Sequence, residues 1–128
     1  MKGIVITTKN AMRVQEFFTA PAYPSISDAV GGWLEIVHPK RLKQPYCMIV
    51  NDEGLLRNLP LNVFGSLLYG MDYHGNPIVG DIVLIKEGIN SNGECDLVGL
   101  DEQDIQALGA MVSAMSGGTV KWESEEQK

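Results

Sequence analysis

The chain has 128 residues, 45% apolar and 20% charged, with a net charge of −6. That is one domain's worth of sequence, large enough to bury a core without metal or disulfide staples. No apolar run approaches the roughly 20 residues that cross a bilayer, residues 1–6 lack a secretory h-region, and the acidic balance argues against direct nucleic-acid binding, so a cytoplasmic protein with no membrane partner is expected.

Residues 3–8, rich in β-branched side chains, predict a strand, and Lys9-Asn10 predicts the turn into a second strand from Met12. Pro21-Ala22-Tyr23-Pro24 reads as a breaker. Ser25 and Asp28 have capping-box spacing for a short helix over residues 26–30. Gly31-Gly32 should end it, because glycine accepts the left-handed conformation at a helix C-terminus. Residues 33–38 predict a third strand, with Trp33, Glu35 and Val37 on one face and Leu34, Ile36 and His38 on the other. The basic cluster Lys40-Arg41-Leu42-Lys43 falls in the next connection and reads as a solvated loop. Residues 46–50 show little polar alternation, which predicts a central strand covered on both faces.

Asn51-Asp52-Glu53-Gly54 then forms an acidic turn. Pro60 should open a helix that runs to Tyr69 and stops at Gly70. Residues 77–85 predict a long strand with a bulge at Gly80-Asp81, residues 86–93 a turn, and residues 95–100 a last strand. Asp101 should cap a final helix whose Ile105, Leu108, Val112 and Met115 form one apolar stripe, with Gly117-Gly118 as its end. Residues 119–128 read as a polar, disordered tail, with Trp122 the exception, either packed back on the body or exposed as an anchor. The fold class expected from this order is α+β. Residues 1–118 would form a single domain, a curved, mostly antiparallel sheet or small partly open barrel with about three helices at its edges.

Four short motifs occur in order: Val30-Gly31-Gly32-Trp33-Leu34-Glu35, Ile49-Val50-Asn51-Asp52-Glu53-Gly54, Leu59-Pro60-Leu61-Asn62 and Ile78-Val79-Gly80-Asp81. In this combination the chain resembles an uncharacterised family of small bacteriophage, plasmid and mobile-element proteins, a domain of unknown function, over residues 3–112. The resemblance implies a setting inside a bacterial host and carries no reaction with it.

Each candidate site has a structural reading beside its functional one. Asp52 and Glu53 could hold a cation or a polar ligand. Equally, Asn and Asp brace turns through their own backbone, and Gly54 supplies a positive φ, which is the stronger reading. Glu35 beside Trp33 is either a buried carboxylate in need of Arg13 or Arg57, or half of a ligand platform with an aromatic plane. Gly31-Gly32 could let a ligand approach the backbone, but no GxGxxG or P-loop accompanies them. His38 and His74 lack metal-ligand spacing. Cys47 and Cys95 read as buried, reduced thiols.

The expected function is a non-enzymatic accessory protein that binds a host protein or a small polar ligand. Its site would comprise Gly31, Gly32, Trp33, Glu35, Asn51, Asp52, Glu53, Gly54, Asn62 and Tyr69, with no cofactor and no metal. A homodimer is compatible with exposed apolar strands. The alternative is a small metal-dependent hydrolase using Asp52, Glu53 and Asp72 or His74. A third reading, an acidic DNA mimic, is disfavoured by the modest charge.

Overall fold

A computed structural model describes residues 1–17, 23–32, 34–51, 58–70, 77–89 and 91–123. Its centre is β5 (Ile82–Ile89), reached after β1 (Lys2–Ile6), β2 (Ala11–Glu16), α1 (Tyr23–Val30), β3 (Leu34–Val37), β4 (Tyr46–Asn51) and α2 (Val63–Tyr69). β6 (Cys95–Val98), α3 (Glu102–Met115) and β7 (Lys121–Trp122) complete the described elements. The sheet order is β3-β4-β5-β1-β2-β7, and β6 also pairs with β5. Every pairing is antiparallel except the short parallel contact of β7 with β2.

β5 is long enough to serve two neighbours along one edge. Its Ile82, Val83 and Leu84 pair with β1, and the following stretch from Lys86 to Ile89 pairs with β6. β6 thus extends the line of β1: Leu100 N donates to Lys2 O at 2.9 Å. A side chain at Gly99 would come within 2.7 Å of Met1 Cβ, so only glycine allows this approach.

Alternation along the strands sorts the core into two layers. On one face Ile4, Ile6, Met48, Val50, Ile82 and Leu84 pack with Phe64 and Leu68 of α2 and Leu108 and Val112 of α3. On the other, Val5, Cys47, Ile49, Val83 and Ile85 pack with Ile26 and Val30 of α1. β4 is buried from Cys47 to Asn51, so its missing polar alternation reflects cover on both faces. Each fully buried Ile or Val contributes about 1.5–3 kcal/mol.

The fold is therefore α+β with an open, mostly antiparallel sheet. Its helices lie on both faces and not at the edges, because neither face has enough polar residues to meet water. Three elements have boundaries that differ from expectation by three residues or more. α1 starts at Tyr23, which places Pro24 in its first turn, where a missing N–H is harmless, and Ser25 inside the helix. α2 starts at Val63 and not at Pro60, since Leu61 bridges Val79 and Asn62 is the N-cap.

β5 starts at Ile82 and runs through Lys86-Glu87-Gly88, expected as a turn; pairing on both sides, with β4 and β6, outweighs their polar character. Gly80 (φ 80°) turns the chain before it, and Asp81 Oδ1 accepts the Thr8 amide at 3.1 Å. Within the expected tail, Val120 is buried and Trp122 packs on Gly109 of α3. Glu123 Oε1 lies 3.5 Å from Arg13 Nη1.

Candidate functional site

The nominated residues divide between two ends of the β3–β4 pair. Leu34 pairs with Asn51 at one end and Val37 with Met48 at the other. Gly31, Asn51 and Asn62 belong to the first end. Gly31 (φ 88°) and Gly32 (φ 156°) terminate α1 in conformations suited to glycine. Asn51 is the last residue of β4, and its buried Nδ2 donates to Val30 O at 3.0 Å. Asn62 is fully buried. Its Nδ2 donates to Ile6 O and Gly80 O, and its Oδ1 takes the Gly65 amide at 2.8 Å. Both amides clamp main chain to main chain, and no buried side-chain N or O lacks a partner among the described residues.

Glu35 is solvent-exposed on the edge strand, so it needs no buried cation. Trp33, Asp52, Glu53, Gly54, Arg57, Asp72 and His74 lie outside the described residues.

Tyr69 is at the opposite end, and there a different constellation forms. His38, Pro39, Lys40 and Arg41 face Leu68, Tyr69 and Gly70 across a cleft of about 690 Å³. The α2 C-terminus explains half of this. Its last carbonyls carry partial negative charge, Gly70 takes the left-handed conformation (φ 93°), and Arg41 Nη1 donates to Leu67 O at 2.6 Å. That bond draws the basic loop onto the helix end. Leu42, buried in the core, anchors the loop from below. Lys40 is exposed and Tyr69 half-buried. No acidic residue lines the cleft among the described residues.

The loop, solvated on the sequence alone, forms one wall of this cleft. The overlooked signal is local: one imidazole and two cations within four positions of an acidic chain, just after a strand, in a stretch with no carboxylate between Glu35 and Asp52.

Beyond His38 lies a smaller cleft of about 260 Å³ that includes Glu87 and Cys95. His38 Nε2 meets Glu87 Oε1 at 2.5 Å, and Cys95 Sγ lies 3.9 Å from Glu87 Oε2. The carboxylate therefore stands between thiol and imidazole, with one oxygen towards each. Cys95 is exposed, contrary to the expectation for it, because β6 sits at an open margin of the sheet. Cys47 is buried as expected. Burial first, then the Glu87 charge, pushes its thiol up to about 12, which leaves it inert.

A third polar cluster ties the sheet to α3. Asp104 takes the Tyr46 hydroxyl at 2.6 Å and the Lys86 ammonium at 2.7 Å. It also completes the capping box with Asp101. Burial pushes the Asp104 carboxyl up, but the bonds from Lys86 and Tyr46 outweigh it and hold the group below the usual carboxylate range. The same bond to Asp104 pushes the Tyr46 hydroxyl up to about 12. All three residues satisfy one another, which is a structural role.

Among the described residues no group of three His, Cys, Asp or Glu side chains could hold a metal ion, and no helix is long and apolar enough to cross a membrane. Neither the curated proteins nor the solved structures offer a match to this chain. One family model does match, over residues 1–113. The chain belongs to the DUF3846 family, a domain of unknown function.

Proposed function

We propose that this chain is a non-enzymatic binding protein whose ligand, a small polar molecule carrying negative charge, sits in the cleft between the basic loop and the end of α2. One observation carries the reading: His38, Lys40 and Arg41 converge with Tyr69 on a single cleft of about 690 Å³ in a protein of net charge −6. That volume lies in the usual range for small-molecule sites, about 300–1,000 Å³. A mostly apolar floor, Pro39, Leu68 and the Tyr69 ring, with a few charged groups at the margin, is the usual composition of such a site.

The setting belongs to the proposal too. It is a phage or mobile-element accessory protein acting in the cytoplasm of a bacterial host, and it rests on the four-motif resemblance. A host protein docked on the same loop, and a homodimer, are the competing occupants.

The test is parallel capture from bacterial lysate by the wild-type protein and by a Lys40→Glu/Tyr69→Ala variant, with mass spectrometry of retained metabolites and proteins. The reading expects an anionic metabolite held by the wild type and lost by the variant. A ligand retained equally by both, or a retained protein with no metabolite, contradicts it.

A further inference from the structure

Of the basic residues that line the large cleft, His38 and Arg41 are committed to the protein itself. His38 Nε2 meets Glu87 Oε1, and Arg41 Nη1 donates to Leu67 O at 2.6 Å. Lys40 is exposed, and its ammonium bonds to none of the described residues. The rest of the lining is Pro39, Leu68, Tyr69 and Gly70, whose side chains are apolar apart from the Tyr69 hydroxyl. The alkyl stem of Lys40 extends that wall while its head stays in water. Among the described residues, the cleft therefore offers a ligand one uncommitted cation beside a largely apolar surface.

Resting on the cleft reading above, we infer that the ligand is an organic monoanion, one negative charge on an apolar body, and that Lys40 is the residue that pairs with the charge. The volume demands the body. An inorganic anion or an acetate would leave most of about 690 Å³ to water, whereas small-molecule sites bury most of their ligand against apolar lining. The cations limit the charge. One uncommitted ammonium matches one anionic group, and a second negative charge would meet no further free partner among the described residues. The net charge of −6 opposes it as well. The two contributions differ in size. An exposed ammonium paired with an anion is worth up to about fivefold in affinity, while each methylene-sized group buried is worth about fourfold. The body supplies the greater part of the binding, and Lys40 supplies the preference for an anion over its neutral counterpart.

Naphthoate is the direct probe, an apolar body with one carboxylate. Acetate carries the charge without the body, naphthylmethanol the body without the charge, and naphthalene dicarboxylate a second charge. Amide-shift titration of the wild-type protein gives each affinity and reports where each probe sits. Naphthoate should move the cleft residues and bind about tenfold or more tighter than acetate. It should bind about threefold to fivefold tighter than the alcohol, and no more weakly than the dicarboxylate. Lys40→Met keeps an apolar stem and removes the charge. It should erase the preference over the alcohol and retain the preference over acetate. The position is exposed, and circular dichroism checks that the fold is kept.

Acetate that binds as tightly as naphthoate overturns the inference and leaves the cleft reading standing. So does a dicarboxylate that binds more tightly than naphthoate, or a preference over the alcohol that persists in Lys40→Met. An alcohol that binds the wild-type protein as tightly as naphthoate overturns both, as does failure of every carboxylate to move the cleft residues.

Discussion

The Asn62 side-chain amide reaches the main-chain oxygen of Gly80 at 2.9 Å, tying the first residue before α2 to the turn that launches β5. The same nitrogen reaches Ile6 O at 3.0 Å, and the oxygen of that side chain caps Gly65. Three segments therefore meet on one fully buried side chain. Asn62→Ala strands two carbonyls and one helix amide at a time, each worth about 1–3 kcal/mol if left unpaired, with incomplete additivity. A loss of about 3 kcal/mol in urea denaturation is expected. A loss below about 0.5 kcal/mol, the size of an ordinary surface substitution, would show that water replaces these bonds.

Acid should weaken the protein through Asp104. Its folded carboxyl titrates below the unfolded value of 3.8. The stability it contributes is present above about pH 4 and is lost as pH falls through the folded value. Tyr46 works in the opposite direction. Its folded hydroxyl sits near 12 against 10.0 unfolded, so that contribution holds below about pH 10 and fades as pH rises towards the folded value. Thermal melts across pH should show Asp104→Asn with a flatter acid limb than the wild type, and Tyr46→Phe about 1–2 kcal/mol less stable at neutral pH. An unchanged acid limb in Asp104→Asn assigns the acid sensitivity to other carboxylates.

Gly109 in α3 faces Trp122 so closely that a Cβ would lie 2.7 Å from the indole ring. Alanine is normally the better helix former by about 1 kcal/mol. Gly109→Ala should therefore destabilise the wild-type chain, yet stabilise a Trp122→Ala background by about 0.5–1 kcal/mol. The sign reversal is read from a double-mutant cycle in denaturant. Equal signs in both backgrounds mean that the half-exposed indole moves aside freely.

The two cysteines should separate by reactivity. Cys95 is exposed and Cys47 buried with its thiol near 12. A thiol reagent at neutral pH should label Cys95 in the native protein and reach Cys47 only on the timescale of unfolding, as followed by mass spectrometry. Simultaneous labelling of both contradicts the burial of β4.

Much of the fold was legible because local chemistry and tertiary context agree. Unbroken apolar character marked β4 as covered on both faces, Asp101 announced α3, and Gly31 and Gly70 closed their helices. The start of α2 was obscured because Pro60 and Asn62 are both good helix openers. What decides between them is the pair of carbonyls on Ile6 and Gly80, remote in sequence. Lys86-Glu87-Gly88 looked like a turn because its partners in β4 and β6 cannot be read from those residues alone.

The site was harder still. Tyr69 stands out in the sequence and the loop opposite it does not, because nothing in the order of residues says that Arg41 reaches Leu67 O or that His38 meets Glu87, 49 positions away.

Amide chemical shifts followed by nuclear magnetic resonance during titration with sulfate test the central claim most directly. The cleft account predicts that Lys40, Arg41, Leu68, Tyr69 and Gly70 move together while Gly31, Asn51 and Asn62 stay still. Movement centred on the Gly31–Asn51 end, or no saturable movement anywhere, contradicts it.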